Sequence, residues 1–217
     1  MLKRRIGWVA AAALLGLGAW NIGHAAYIHA KAQLAQYLLQ TAWAETQTGK
    51  AQAKPWPWAD TYPVARLTMP QHGVDLIVLA GSSGRTMAFG PGHMDGTPLP
   101  GEAGNSVLSA HRDTHFAFLR HAKSGEAFFV EGPNGKKTRF AVLETRVVDE
   151  HDLSVVRSTS DTQLTLVTCY PFDAIRPGGP LRYVVIARPA EKPSTVTRHT
   201  PRPGDEHVAR TAADRNV

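Results

Sequence analysis

The apolar positions of this chain fall into two regimes. The first is continuous: Ile6 to Trp20 holds no polar side chain, and after Asn21 the apolar character resumes through Ile22, Gly23, Ala25, Ala26, Tyr27 and Ile28, with His24 among them. Such a run approaches the roughly 20 residues that a membrane-spanning helix needs. Ala30 to Thr46 is rich in Ala, Gln and Leu and contains neither Gly nor Pro, so the helix is expected to continue as a stalk. Gly49 to Lys54 is small and polar, and Pro55-Trp56-Pro57-Trp58 cannot prolong a helix.

From Asp60 the second regime begins, with short runs of β-type residues bounded by turn residues. They predict strands over Val64–Met69, Val74–Leu79, Ser106–Ala110, Ala127–Val130, Arg139–Val148, Gln163–Thr168 and Leu181–Ala187. Asn134-Gly135, after Gly132-Pro133, signals a hairpin. One helical turn is expected in this body, around Phe116 to Arg120. Gly81 to Gly104 is punctuated by Gly and Pro and reads as loops holding at most one brief element. Its Gly84, Gly90 and Gly92 do not make a phosphate loop, which ends in Lys-Ser/Thr at a helix start. About seven strands at this spacing specify an all-β sandwich or closed barrel. After Pro189 the chain is polar, dotted with Pro and free of aromatics, so a disordered tail is expected.

The domain plan is therefore a basic end and signal anchor at 1–28, a stalk and Pro/Trp linker at 29–59, a β-domain at 60–189 and a tail at 190–217. Lys3, Arg4 and Arg5 precede the apolar run and would stay in the cytoplasm, placing everything after Ile28 outside. An uncleaved anchor is the preferred reading, since the helix runs on smoothly; small residues at Gly23 and Ala25, or Ala30 and Ala32, leave cleavage open. The formal charge of +6 is modest, and no Lys/Arg run interleaved with aromatics appears, so nucleic acid is not an expected partner. Trp56 and Trp58 are expected to pack where the linker docks, with a membrane-interface role as the alternative, and Phe116 and Phe118 to cover core.

Only one cysteine occurs among the 217 residues, so no internal disulfide can form and the thiol is either buried filler or reactive. Its setting, Thr165-Leu166-Val167-Thr168-Cys169-Tyr170-Pro171, puts Cys169 where a half-buried strand runs out, rigidly held yet beside a loop. A cysteine attacks as thiolate and needs a base or cation nearby. His111 ends the strand Ser106–Ala110 and is the best base. Arg182 opens an otherwise apolar strand, a poor place for a guanidinium unless it has a partner or a task. A fixed donor fork that never loses its proton suits the negative charge of acyl transfer.

Together these stretches resemble the sortase family. Thr165, Leu166, Thr168 and Cys169 match its Thr-Leu-x-Thr-Cys pattern, His111 its histidine and Arg182 its arginine, over roughly Pro63 to Arg188. The resemblance implies an eight-stranded β-barrel with short helical turns and catalytic His111, Cys169 and Arg182. Thr168, Ser109 and Asp113 are implied near the substrate, with Asp113 also a weak candidate to orient His111. It implies a membrane-anchored cysteine transpeptidase that needs no cofactor and sits at the cytoplasmic membrane with its catalytic domain outside. The enzyme would cut a substrate protein at a Leu-Pro-x-Thr-Gly-like C-terminal motif and pass the acyl group to a cell-envelope amine. His111-Arg112-Asp113-Thr114-His115-Phe116 and the Trp-rich linker look most like the Gram-negative, proteobacterial type, which draws the usual lipid II acceptor into question. No second apolar span follows, unlike pilin-assembling members.

Three other readings compete. His93, His111, Asp113 and His115 offer metal ligands, but without the Glu of the zinc-protease motif or a convincing helix. Another Cys/His enzyme, such as an L,D-transpeptidase or papain-like hydrolase, would leave Arg182 unexplained. A non-enzymatic, anchored binding domain would make Cys169 incidental.

Overall fold

The computed structural model describes residues 2–176 and 178–190. Its first element is one unbroken helix, α1 (Leu2–Gln47). Eight strands follow: β1 (Pro63–Met69), β2 (Val74–Ala80), β3 (Gly92–His93), β4 (Asn105–Ser109), β5 (Ala127–Glu131), β6 (Lys137–Asp149), β7 (Gln163–Tyr170) and β8 (Leu181–Pro189). They close into a barrel in the order β1-β2-β3-β4-β7-β8-β6-β5, with β5 returning to β1. The β2–β3 and β4–β7 pairs are parallel and the rest antiparallel. Closure leaves no sheet edge to solvent.

The barrel is filled from one face of each strand. Leu67, Val78, Leu108, Phe128, Phe140, Leu164, Leu166 and Val185 meet in a single core, with Phe116 and Leu119 plugging it. Phe128 and Phe140 stack at 5.7 Å. Phe116 is fully buried and Phe118 packs against the same core, as the sequence leads one to expect.

Two local expectations are corrected. The Gly81–Gly104 segment contains both a turn of helix, α2 (Gly84–Met87), capped by Ser83, and the eighth strand β3. With two residues, β3 has no periodicity to detect. It is possible only because residue 92 is glycine: a Cβ there would overlap the Gly81 carbonyl. The single helical turn expected near Phe116 is real, at Ala117–His121, but 3-10 turns also form at Pro70–His72 and Leu153–Val156.

The last three turns of α1 are docked. Leu39 and Trp43 pack on Ile77 and Leu79, joined by Phe89. Gln36 Nε2 donates to the Phe89 carbonyl at 2.9 Å, and Gln47 Nε2 to Gly132 at 2.9 Å. Every described side chain from Arg4 to Leu34 is exposed, and α1 is long and apolar enough to cross a membrane. Trp56 packs edge-on against Phe89 at 5.0 Å, whereas Trp58 is 82% exposed, so the packing role expected of Trp58 does not hold. The disordered tail expected at 190–217 lies outside the described residues, save for Ala190.

Candidate active site

Strand β7 alternates: Leu164, Leu166 and Thr168 point into the barrel, which leaves Thr165, Val167 and Cys169 on the outer face. Against the expectation that Cys169 sits past the strand end, β7 runs two residues further, to Tyr170, and Cys169 is a paired residue directly opposite Arg182 on β8. On its other side β7 runs parallel to β4 with Ser109 opposite Val167. Ala110 N still donates to Val167 O at 3.3 Å, and Thr168 Oγ1 to Ala110 O at 2.7 Å, so the two chains stay together past the formal strand end. Cys169 and Arg182 thus form one rung of the β7–β8 ladder, and His111 follows two residues after the last β4–β7 pair, Ser109 with Val167. Carried on by two residues, the same parallel register would set His111 next to Cys169 on the outer face.

His111 is exposed and Cys169 partly buried. The Arg182 guanidinium is held: Nη1 donates to Gly179 O at 2.7 Å and Leu181 O at 3.0 Å, and Nη2 to the Glu150 carboxylate at 2.6 Å. Its partner is therefore Glu150, at the end of β6, and its Nε has no partner among the described residues. One bond to a carboxylate oxygen and two to backbone carbonyls fix the guanidinium.

The other expected residues divide. Ser109 lies one pleat before His111 on the same face, partly buried. Asp113 is exposed and makes no hydrogen bond to His111 among the described residues. Thr168, expected to touch substrate, instead turns its hydroxyl into the barrel to hold the Ala110 carbonyl; it is 2% exposed. It braces the residue before His111. The metal reading finds no support in the placement of its ligands: His93 is buried and bonded to Pro98 O and Thr97 Oγ1, and no group of three or more ligating side chains gathers among the described residues.

Three supporting residues escaped the sequence, and a fourth, His115, was read there only as a candidate metal ligand. Asn105, 1% exposed, accepts from Thr165 Oγ1 at 2.7 Å and donates to Val155 O at 2.9 Å and Arg157 O at 3.1 Å. It thereby clamps the 150–162 connection over the outer face, where Val155 packs with Val184 and Ile186 beside Val148 and Val167. Arg112, 9% exposed, donates from Nη2 to Ala174 O at 2.9 Å and Arg176 O at 3.1 Å, strapping the β7–β8 loop to the residue after His111. Glu150 holds Arg182. His115 is half-buried, and burial first and the nearby His111 second push its imidazole below the ordinary histidine value, against a hydrogen bond to the Met87 backbone. Both effects favour the neutral form of this ring. None of the four has a local signature. Each works through a partner at least four, and mostly tens of, positions away in the chain.

A Sortase domain model matches residues 67–190, more than half of the chain. The chain is 29% identical over 123 residues to Sortase D of Bacillus subtilis (strain 168), covering 56% of this chain and 61% of that protein. It is 28% identical over 110 residues to Sortase A of Listeria monocytogenes, covering 49% of each. It thus spans about half to three-fifths of the length of these curated relatives. Among solved structures, sortase C-1 from Actinomyces oris superposes with a TM-score of 0.54 at 29% identity, covering 60% of this chain and 75% of that one. The catalytic domain of B. anthracis SrtD gives 0.51 at 30% identity, covering 59% and 88%. With an eight-stranded closed barrel, a cysteine-bearing β7 and a family model matched from β1 to the end of β8, this chain belongs to the sortase family.

Proposed function

We propose that this protein is a membrane-anchored cysteine transpeptidase in which Cys169 is the nucleophile, His111 the acid/base and Arg182 the oxyanion donor. The observation that carries the reading is the Cys169–Arg182 rung of the β7–β8 ladder, with His111 two residues beyond the β4–β7 pair Ser109–Val167. Cys169 Sγ attacks the carbonyl carbon of the scissile peptide bond, and electron density moves onto the carbonyl oxygen, towards Arg182 Nε. Collapse breaks the C–N bond, His111 gives its proton to the departing amine, and a thioester remains on Cys169. A second amine then attacks the thioester, His111 takes up its proton, and the Cys169 thiolate leaves. One amide is exchanged for another, with no net redox change.

The substrate is proposed to be a protein carrying a Leu-Pro-x-Thr-Gly-like C-terminal motif, cut after Thr, and the acceptor an amine of the cell envelope. Lys3, Arg4 and Arg5 support an orientation with the barrel outside the cytoplasmic membrane. The domain plan goes with this reading: anchor 1–28, stalk and linker 29–59, catalytic domain 60–189.

The test is incubation of the full chain in detergent with a quenched Leu-Pro-x-Thr-Gly peptide library, with and without an amine, followed by mass spectrometry. A peptide adduct on Cys169 that the amine resolves, absent in Cys169→Ala, is the expected result. An unreactive thiol with no adduct from any peptide would sink the proposal in favour of a binding domain.

A further inference from the structure

Where the stalk meets the barrel, a cavity of about 400 Å³ opens between α1 and the Pro55–Trp58 turn, lined by Lys31, Leu34, Trp56, Trp58, Arg85 and Phe89 among others. Its walls are built, not incidental: Gln36 pins the Phe89 carbonyl, and Trp56 sits edge-on to the Phe89 ring. The candidate catalytic residues do not use it.

Its height along α1 identifies what it faces. The apolar run ends at Ile28. At 1.5 Å per residue, Lys31 stands about 4.5 Å and Leu34 about 9 Å above that point. The headgroup layer on each side of a bilayer is roughly 5–7 Å deep. The Lys31 edge of the cavity therefore stands at headgroup level and Leu34 just above it, and the barrel makes its first buried contact with the helix only at Ala35. The rim suits that layer. Trp58 is 82% exposed, and an indole has an apolar body with one polar N–H. Lys31 and Arg85 bring two positive charges, against a single Asp60, whose contact with Arg85 at 3.3 Å is largely solvent-exposed. Such an open pair is weak and leaves Arg85 able to turn to another anion.

We propose that this cavity seats an acyl chain of one anionic phospholipid from the bilayer that α1 crosses, with Lys31 and Arg85 on its phosphate and Trp58 in the interface. The bound lipid would fix the tilt of the barrel over the membrane. Arg85 and Phe89 flank Met87, whose backbone bonds His115 beside His111, so the seat and the candidate catalytic residues share one short segment. The inference rests on the reading of α1 as a membrane anchor.

The test uses the full chain in vesicles, with Cys169→Ala removing the native thiol and single cysteines introduced by Ile22→Cys, Ala32→Cys, Leu34→Cys or Leu153→Cys. Each is labelled with a small fluorophore and quenched by phosphatidylglycerol or phosphatidylcholine carrying a nitroxide on the acyl chain. Ala32 is on the opposite side of α1 from Leu34 and nearer the bilayer. Depth alone would therefore quench position 32 more; an occupied cavity would quench position 34 more, and more by phosphatidylglycerol than by phosphatidylcholine. Lys31→Gln and Arg85→Gln should each weaken that lipid preference roughly five-fold, the worth of a basic residue near an anionic surface. Quenching at 32 equal to or above that at 34, with 22 quenched and 153 silent, overturns the seat alone. An unquenched position 22 overturns the anchor reading and the seat with it.

Discussion

The bond from Thr168 Oγ1 to the Ala110 carbonyl, 2.7 Å long and buried, is a sharp point at which to perturb this molecule. Thr168→Val keeps shape and branching and removes only the hydroxyl. It leaves a buried carbonyl without its side-chain donor, which costs about 1–3 kcal/mol. Thr168→Ser makes the complementary change, keeping the hydroxyl and deleting a methyl, worth about 1 kcal/mol. If the hydroxyl is a strut, Val is the more damaging substitution; if the residue is only core filler, Ser is. Urea unfolding of the full chain in detergent reads this as a midpoint shift at constant slope. Because the strut holds the residue before His111, Thr168→Val should also lower kcat/KM at temperatures where the protein is fully folded, whereas Thr168→Ser should not. A Val variant within about 0.5 kcal/mol of wild type, the range of neutral surface changes, would refute the reasoning.

Glu150→Gln should leave stability nearly unchanged, because its ion pair with Arg182 is partly exposed and such pairs contribute at most about 1 kcal/mol. It should nevertheless reduce kcat by freeing the guanidinium, and unchanged kcat in a peptide-cleavage assay would remove Glu150 from the site. Arg112→Met removes two charge-assisted bonds, but also a buried charge with no carboxylate partner and an unpartnered Nη1. The opposing terms predict a small stability change together with a looser β7–β8 loop, seen as faster proteinase K cleavage near Ile175, which is 99% exposed. For His115 the sign follows from a folded value below the unfolded one near 6.5. The unfolded chain binds the proton first, so stability declines as pH falls below about 6.5 and levels once the folded value is passed. His115→Asn should flatten that part of the stability–pH curve; an unchanged slope would show that the ring is not the source.

Much of this protein could be read along the chain because the signals involved are local. A continuous apolar run, a stretch without helix breakers and period-two alternation each depend on neighbours within a few residues. They were enough to anticipate the long N-terminal helix and to place seven of the eight strands to within about two residues. The motif around Cys169, with His111 and Arg182 in order, pointed to the family for the same reason. What the tertiary structure alone decided concerns partners distant in sequence. Only the antiparallel β7–β8 ladder pairs Cys169 with Arg182, and only the parallel β4–β7 ladder leads the chain alongside β7 towards His111. Only packing showed that Thr168 faces inward, that Glu150 holds Arg182, and that Asn105 and Arg112 tie the flanking loops down. β3 went unseen because two residues carry no period, and its glycine has a purpose only beside the Gly81 carbonyl. Local chemistry is written in adjacent residues, whereas the assembly of a site depends on which strands become neighbours, and that is settled only when the barrel closes.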